Sequence, residues 1–333
     1  INKFLQSRKE ITYKGVTGSP RERSAAIHVS ADKVQFLNCE VMSTQDTIGI
    51  NSGRMYFKNC KLGGTTDYIC GSATAVFDNC ELYTNAGPSQ AESATVTAPS
   101  STVDTEGYLF FNCHITGSKT STSGSFGRPW GANGGPAAHY INTIIDNAGS
   151  GGGKLIGSAG WSAMSGNKPE NARFGEYNSI DSSGNKIDTS GRTKGTVLNE
   201  WTMLRYNPLT FTLGNDGWDP AGLISTYADV NNVLNTTTID TSDSTTNEIA
   251  LPQAPSGYEF KWESVSEFAK VSSDGTKVTL IRPAFGEQPI DAAIKLYVRE
   301  SGNKEIGAEK SIKFSILPTS DTENVFNVSG TVT

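Results

Sequence analysis

The feature that most constrains this chain is a short pattern that returns along it. Val34-Gln-Phe-Leu-Asn-Cys39, Met55-Tyr-Phe-Lys-Asn-Cys60, Ala75-Val-Phe-Asp-Asn-Cys80 and Tyr108-Leu-Phe-Phe-Asn-Cys113 all contain Phe-x-Asn-Cys. Weaker copies start at Tyr13, Tyr140 and Phe174, so the anchors fall at 13, 36, 57, 77, 110, 140 and 174. A period near 20 residues that lengthens by loop insertion is the mark of a solenoid. Each copy alternates apolar and polar residues and ends near Gly, Asn or Ser, which predicts a strand and a turn. Coils of this size built from strands stack as a parallel β-helix, with equivalent positions about 4.8 Å apart.

Composition agrees. Charged residues are 19% of the chain and Gly numbers 35 of 333, which suits a turn-rich β protein. The net charge of −6 excludes the basic stripe of a nucleic-acid binder, and no apolar run is long enough to span a membrane. The chain starts at Ile1 and shows no signal peptide, so it is expected to be part of something longer.

Five cysteines, none in CxxC spacing, give neither a zinc site nor a complete disulfide set. Four of them follow the repeat and are expected as a buried column of small side chains. Asn38, Asn59, Asn79 and Asn112 are expected as an amide ladder at a turn.

The repeat also serves as a ruler. Ten residues beyond Tyr13, Phe36 and Phe57 lie Arg23, Asp46 and Asp67, which should form one column on one face; Gly87 follows Phe77 in the same way. Two carboxylates one strand apart cannot both carry charge cheaply, which is how a site divides the work of nucleophile and acid.

The local motifs Gln45-Asp46-Thr47, Asp67-Tyr68-Ile69-Cys70-Gly71 and Gly127-Arg128-Pro129-Trp130 occur in that order. Together with Gly160-Trp161 and Phe174-Gly-Glu-Tyr-Asn178, they resemble the pectin methylesterases, over roughly residues 8 to 222. The resemblance implies a right-handed parallel β-helix and hydrolysis of the methyl esters of galacturonate units in pectin, with no metal or other cofactor. It implies Asp67 as nucleophile and Asp46 as acid, then base. Arg128 would pair with Asp67, Gln45 would donate to the oxyanion, and Trp130 and Trp161 would line the sugar cleft.

The sequence departs from the family at several places. Arg23 stands where a second glutamine is usual, and either donates to the oxyanion or pairs with Asp46. Gly49 replaces a Tyr, Cys70 replaces a Phe, Met164 stands where a second cleft Trp often sits, and the upstream coils are missing. These departures keep a second reading in view, a catalytically impaired β-helix that binds pectin or acts as a surface spacer. A lyase or polygalacturonase reading lacks its acidic calcium cluster and its Gly-His-Gly segment.

Beyond Trp218-Asp-Pro the pattern changes. Residues 1–234 are expected as the β-helix, ending in a short helix at 223–234, and 235–248 as a polar linker. Residues 249–318 are expected as a small β-sandwich resembling a bacterial immunoglobulin-like module, with Trp262 in its core. Residues 319–333 would be a linker or the start of another module. The expected setting is extracellular or cell-surface, with pectin as partner and an upstream fragment or further modules as possible companions.

Overall fold

The computed structural model describes residues 25–85, 95–117, 123–132, 134–146, 153–241 and 246–320. Arg23, Gly87, the copy at Tyr13 and the segment after residue 320 lie outside these. Two compact units divide at Leu223/Ile224.

The first unit is a parallel β-helix with three sheets. The first sheet takes one strand per coil from Ile27–Ser30, Ile48–Ser52, Thr66–Gly71, Thr95–Pro99 and Ser125–Gly127. The second runs from Val34–Leu37 through Arg54–Lys58, Thr74–Asp78, Tyr108–Phe111 and Ala137–Ile141 to Arg173–Tyr177. The third begins at Glu40–Met42 and ends at Ile180–Asp181. Parallel pairing puts like residues on like residues. Phe36, Phe57, Phe77, Phe110 and Tyr140 stack face to face with ring centroids 4.2–4.8 Å apart. This row is the spine of a core that fills the space between the sheets.

The turn after this sheet explains the asparagines. Asn38, Asn59, Asn79, Asn112, Asn142 and Asn178 all have φ between 51° and 55°, a left-handed conformation that Asn tolerates better than other residues with a side chain. Their amides also bond up the stack, Asn79 to Asn59 at 2.8 Å and Asn178 to Asn142 at 2.9 Å. The thiols of Cys60, Cys80 and Cys113 donate to carbonyls of the coil before, at Phe36, Phe57 and Phe77, and none of the five cysteines is in a disulfide.

The last copy of the repeat is placed differently from expectation. Phe174 pairs with Ala138, and Glu176 takes the rung beside Tyr140. Asn178 sets this register, because it repeats the left-handed turn of Asn142. Phe174 matched the pattern only as an aromatic residue two positions early.

The outward row of the second sheet (Tyr56, Val76, Leu109, His139) is buried. Residues 199–218 supply cover: Tyr206 stacks on His139 at 3.8 Å, and Arg54 binds Asp216 through both terminal nitrogens.

The second unit has two three-stranded antiparallel sheets around one core. Tyr258–Ser264, Ile290–Glu300 and Gly307–Ile316 form one; Glu248–Ala250, Lys277–Leu280 and Ala269–Val271 form the other. Trp262 is buried there and donates its indole N–H to the Pro252 carbonyl. The helix runs Ile224–Thr236, and its Val230 and Leu234 belong to this second core. The expected boundary at 234 is therefore corrected to 223: an amphipathic helix goes with the sheet that covers its apolar face. Part of the supposed linker goes with it, since Ile239 packs on the same core and Lys310 binds the Thr237 carbonyl.

Candidate active site

The site lies on the first sheet, where its repetition is broken. Ile48 pairs with Ile69 and Gly49 with Cys70, so counting back two residues sets Asp46 beside Asp67 on the next coil. The Asp46 amide donates to the Thr66 carbonyl at 3.2 Å, consistent with that register. One strand spacing, about 4.8 Å, separates the two backbones.

Both aspartates adopt left-handed backbone, with φ of 56° at Asp46 and 50° at Asp67. Single residues held this way cluster where a side chain must be aimed at a cost of about 1–3 kcal/mol. At Asp67 the cause is visible. Thr66 pairs with Thr95 and Ile69 with Thr97, so three steps on one strand face two on the other. This is a β-bulge, which turns a side chain away from simple alternation. Thr97 fastens it by donating its hydroxyl to the Ile69 carbonyl at 2.7 Å.

Asp67 is only 2% exposed. A buried carboxylate needs a partner, and Arg128 supplies one. Its Nε lies 2.9 Å from Oδ1 and its Nη2 2.5 Å from Oδ2, the two-pronged geometry that fixes a carboxylate in orientation as well as charge. Arg128 follows the strand Ser125–Gly127, and Thr95–Pro99 lies between that strand and Asp67. The Arg128 side chain therefore spans a full strand to make the pair. Hydrogen bonding to Asp67 raises the pKa of Arg128; the charges of Asp67 and Asp46 add to that, while burial opposes it. Asp46 and Gln45 are half-buried at the same end of the sheet.

The two tryptophans part company. Trp130 is 47% exposed, its backbone held by the Pro99 carbonyl at 3.0 Å. Trp161 is 4% exposed and stacks on Phe174 with centroids 4.2 Å apart, inside the core. Its expected place in a cleft is corrected: the bridge from Trp161 to Gly127 draws it under the strand that carries Arg128.

One supporting pair was missed from sequence. Glu176 and Arg192, with side chains 1% and 2% exposed, meet at 2.5 Å. Arg192 also donates to the carbonyls of Gly157 and Ser158, bracing the turn before Trp161. The readable signal was an acidic residue at an inward strand position, hidden because the repeat was anchored on Phe174.

Comparison with known proteins follows the same part of the chain. The family model described as Pectinesterase matches residues 2–214. Pectinesterase 1 of Citrus sinensis is 33% identical over 194 residues, 56% of this chain and 31% of that protein. Pectinesterase 31 of Arabidopsis thaliana is 32% identical over 145 residues, 42% of this chain and 44% of its own. The chain thus spans less than half the length of either relative. Among solved structures, pectin methylesterase from Aspergillus niger aligns with TM-score 0.48 at 26% identity, over 60% of this chain and 61% of that one. Pectin methylesterase from carrot aligns with TM-score 0.47 at 25% identity, over 57% and 60%.

Proposed function

We propose, from the premise that this chain belongs to the pectinesterase family, that it removes methyl esters from galacturonate units of pectin. Asp67 is the nucleophile: its carboxylate attacks the ester carbonyl and forms a tetrahedral intermediate. Asp46, protonated at the start, gives its proton to the departing methanol as the acyl-enzyme forms. The Asp46 carboxylate then takes a proton from water, the hydroxide attacks the acyl carbon, and Asp67 is released. Gln45 donates to the oxyanion in both steps. Arg128 holds Asp67 in one orientation, and Trp130 offers its exposed face to a sugar ring. The setting is extracellular or at the cell surface, where esterified pectin is found. The second unit, which begins at Ile224 and which we read as an immunoglobulin-like module, contributes no catalytic group.

The observation that carries this reading is the buried two-pronged Arg128–Asp67 pair at a bulge, with Asp46 in register on the neighbouring coil. Methanol release from methyl-esterified pectin tests it. The protein should release methanol and Asp67→Asn should not. Pectin binding without methanol release by the unaltered protein would replace this reading with that of a binding β-helix.

A further inference from the structure

The outward face of the first sheet carries a row of residues that the proposed chemistry does not use. His28 pairs with Gly49, Gly49 with Cys70, and Cys70 with Ala98, one per strand. Thr97 pairs with Gly127, so the next position in the row is Arg128. The middle of the row is small and buried: Gly49 lies under the His28 ring, and Cys70 and Ala98 are 7% and 1% exposed. Among the described residues its outermost members are large: Arg128, followed by Trp130, on one side and His28 on the other. Four strand spacings, about 19 Å, separate the ends. Small residues between large ones lower this face into a shallow trough, covered over at Ala98.

The pose of His28 is informative. A Cβ built on Gly49 would lie 2.9, 3.0 and 3.1 Å from Cε1, Nε2 and Nδ1 of the His28 ring. Three ring atoms nearly equidistant from one point mean that the imidazole lies face-on over Gly49. The ring is therefore folded down onto the strand that leads back to Asp46. His28 is nonetheless exposed, so its second face is open. A core role does not account for it: the adjacent Ile27 and Val29 point inward and pack on the core.

We propose that His28 is a substrate-binding residue, a platform on which a galacturonate ring stacks two strand spacings along the sheet from the strand of Asp67. The ring is flat and presents one face, and its nitrogens can bond hydroxyl or carboxylate oxygens at the edge of the same sugar. Gly49 is required because any side chain there would lift the imidazole off the trough floor. The proposal rests on the pectin reading above and adds to it a second anchoring point, opposite Trp130, that gives a longer chain more hold than a short one.

The test measures methanol release across methyl-esterified oligogalacturonates of increasing length. His28→Ala should raise KM about five-fold on long substrates, leave kcat unchanged, and have no effect on oligomers too short to span the trough. Gly49→Ala should reproduce this by displacing the ring, and His28→Phe, which keeps a flat face, should restore the original KM. An unchanged KM on long substrates overturns the proposal. So does a fall in kcat at every length, which would make His28 a support of the catalytic groups. A loss in His28→Phe as large as in His28→Ala overturns the stacking platform. If the unaltered protein releases no methanol, the enzymatic reading fails by itself. Calorimetric titration of oligogalacturonate into the unaltered protein and into His28→Ala then decides separately whether His28 binds the sugar.

Discussion

The two units solve the same problem, covering β-strands, by opposite means. In the β-helix a residue lies beside its own counterpart: Phe57 touches Phe36 and Phe77, and Asn59 bonds Asn38 and Asn79. In the second unit Trp262 pairs with Leu296 and Leu296 with Lys310, three unlike residues in a row. Parallel stacking makes the sequence repeat because the structure repeats, whereas antiparallel folding asks only that apolar residues alternate. Deviation therefore carries meaning only in the first unit. The coils depart from their neighbours at the Asp67 bulge and the small Gly49–Cys70–Ala98 row, which is where the proposed chemistry and the proposed recognition are placed. No equivalent break can be picked out of the second unit, which has no standard to break.

Experiments can press on this contrast. Arg128→Ala leaves Asp67 buried without its partner, so methanol release should fall about a thousand-fold while circular dichroism still reports the β-helix. A loss below ten-fold would show that the broken coil is not where the chemistry lies. Phe77→Ala removes a fully buried ring from the middle of the stack and should destabilise the first unit by roughly 3–4 kcal/mol in denaturant titration. A much smaller loss would show that the aromatic row is filling rather than frame.

His139 should make the first unit sensitive to acid. Burial, helped by the nearby Arg173 and Arg205 charges, pushes its pKa down to about 3 from 6.5. The unfolded chain takes up the proton first as pH falls, so the stability due to neutral His139 is complete above about pH 6.5 and declines down to about pH 3. Between pH 7 and pH 5 the loss should be roughly 2 kcal/mol, and His139→Phe should flatten that part of the profile. Asn79→Ala, which forces alanine into left-handed backbone, should cost about 1–2 kcal/mol, and Asn79→Gly less. The smallest effect expected is from ending the chain at Leu223: methanol release should not change. Ending it at Leu234 instead would leave Val230 and Leu234 without their core and should promote aggregation, seen by light scattering.

Much of this was legible in the sequence, and the exceptions have physical causes. The period, the amide ladder and the shared column of Asp46 and Asp67 follow from repetition, which one sequence displays in full. Arg128 came from its motif rather than the ruler, because the loops before it vary in length. The bulge at Asp67 left no sign: Thr66-Asp67-Tyr68 contains no glycine to mark a left-handed residue. Trp161 was misplaced because a tryptophan beside glycine reads the same whether it faces a groove or a core. The helix Ile224–Thr236 was found but given to the wrong unit, since its sequence states that one face is apolar and not which sheet will cover it.

Glu176 has a consequence for how long the molecule is. A stack of like coils has no natural length, because each turn offers the next the same surface it was offered. The row Phe36, Phe57, Phe77, Phe110, Tyr140 could accept another ring indefinitely; at the next rung it meets a carboxylate already held by Arg192. An incoming aromatic would find no flat partner and would have to strip a buried charge of its counterion. The aromatic row stops at that acidic rung, and the chain's own Val197 then takes the parallel place beside Glu176, so the edge a further solenoid would need is already occupied there.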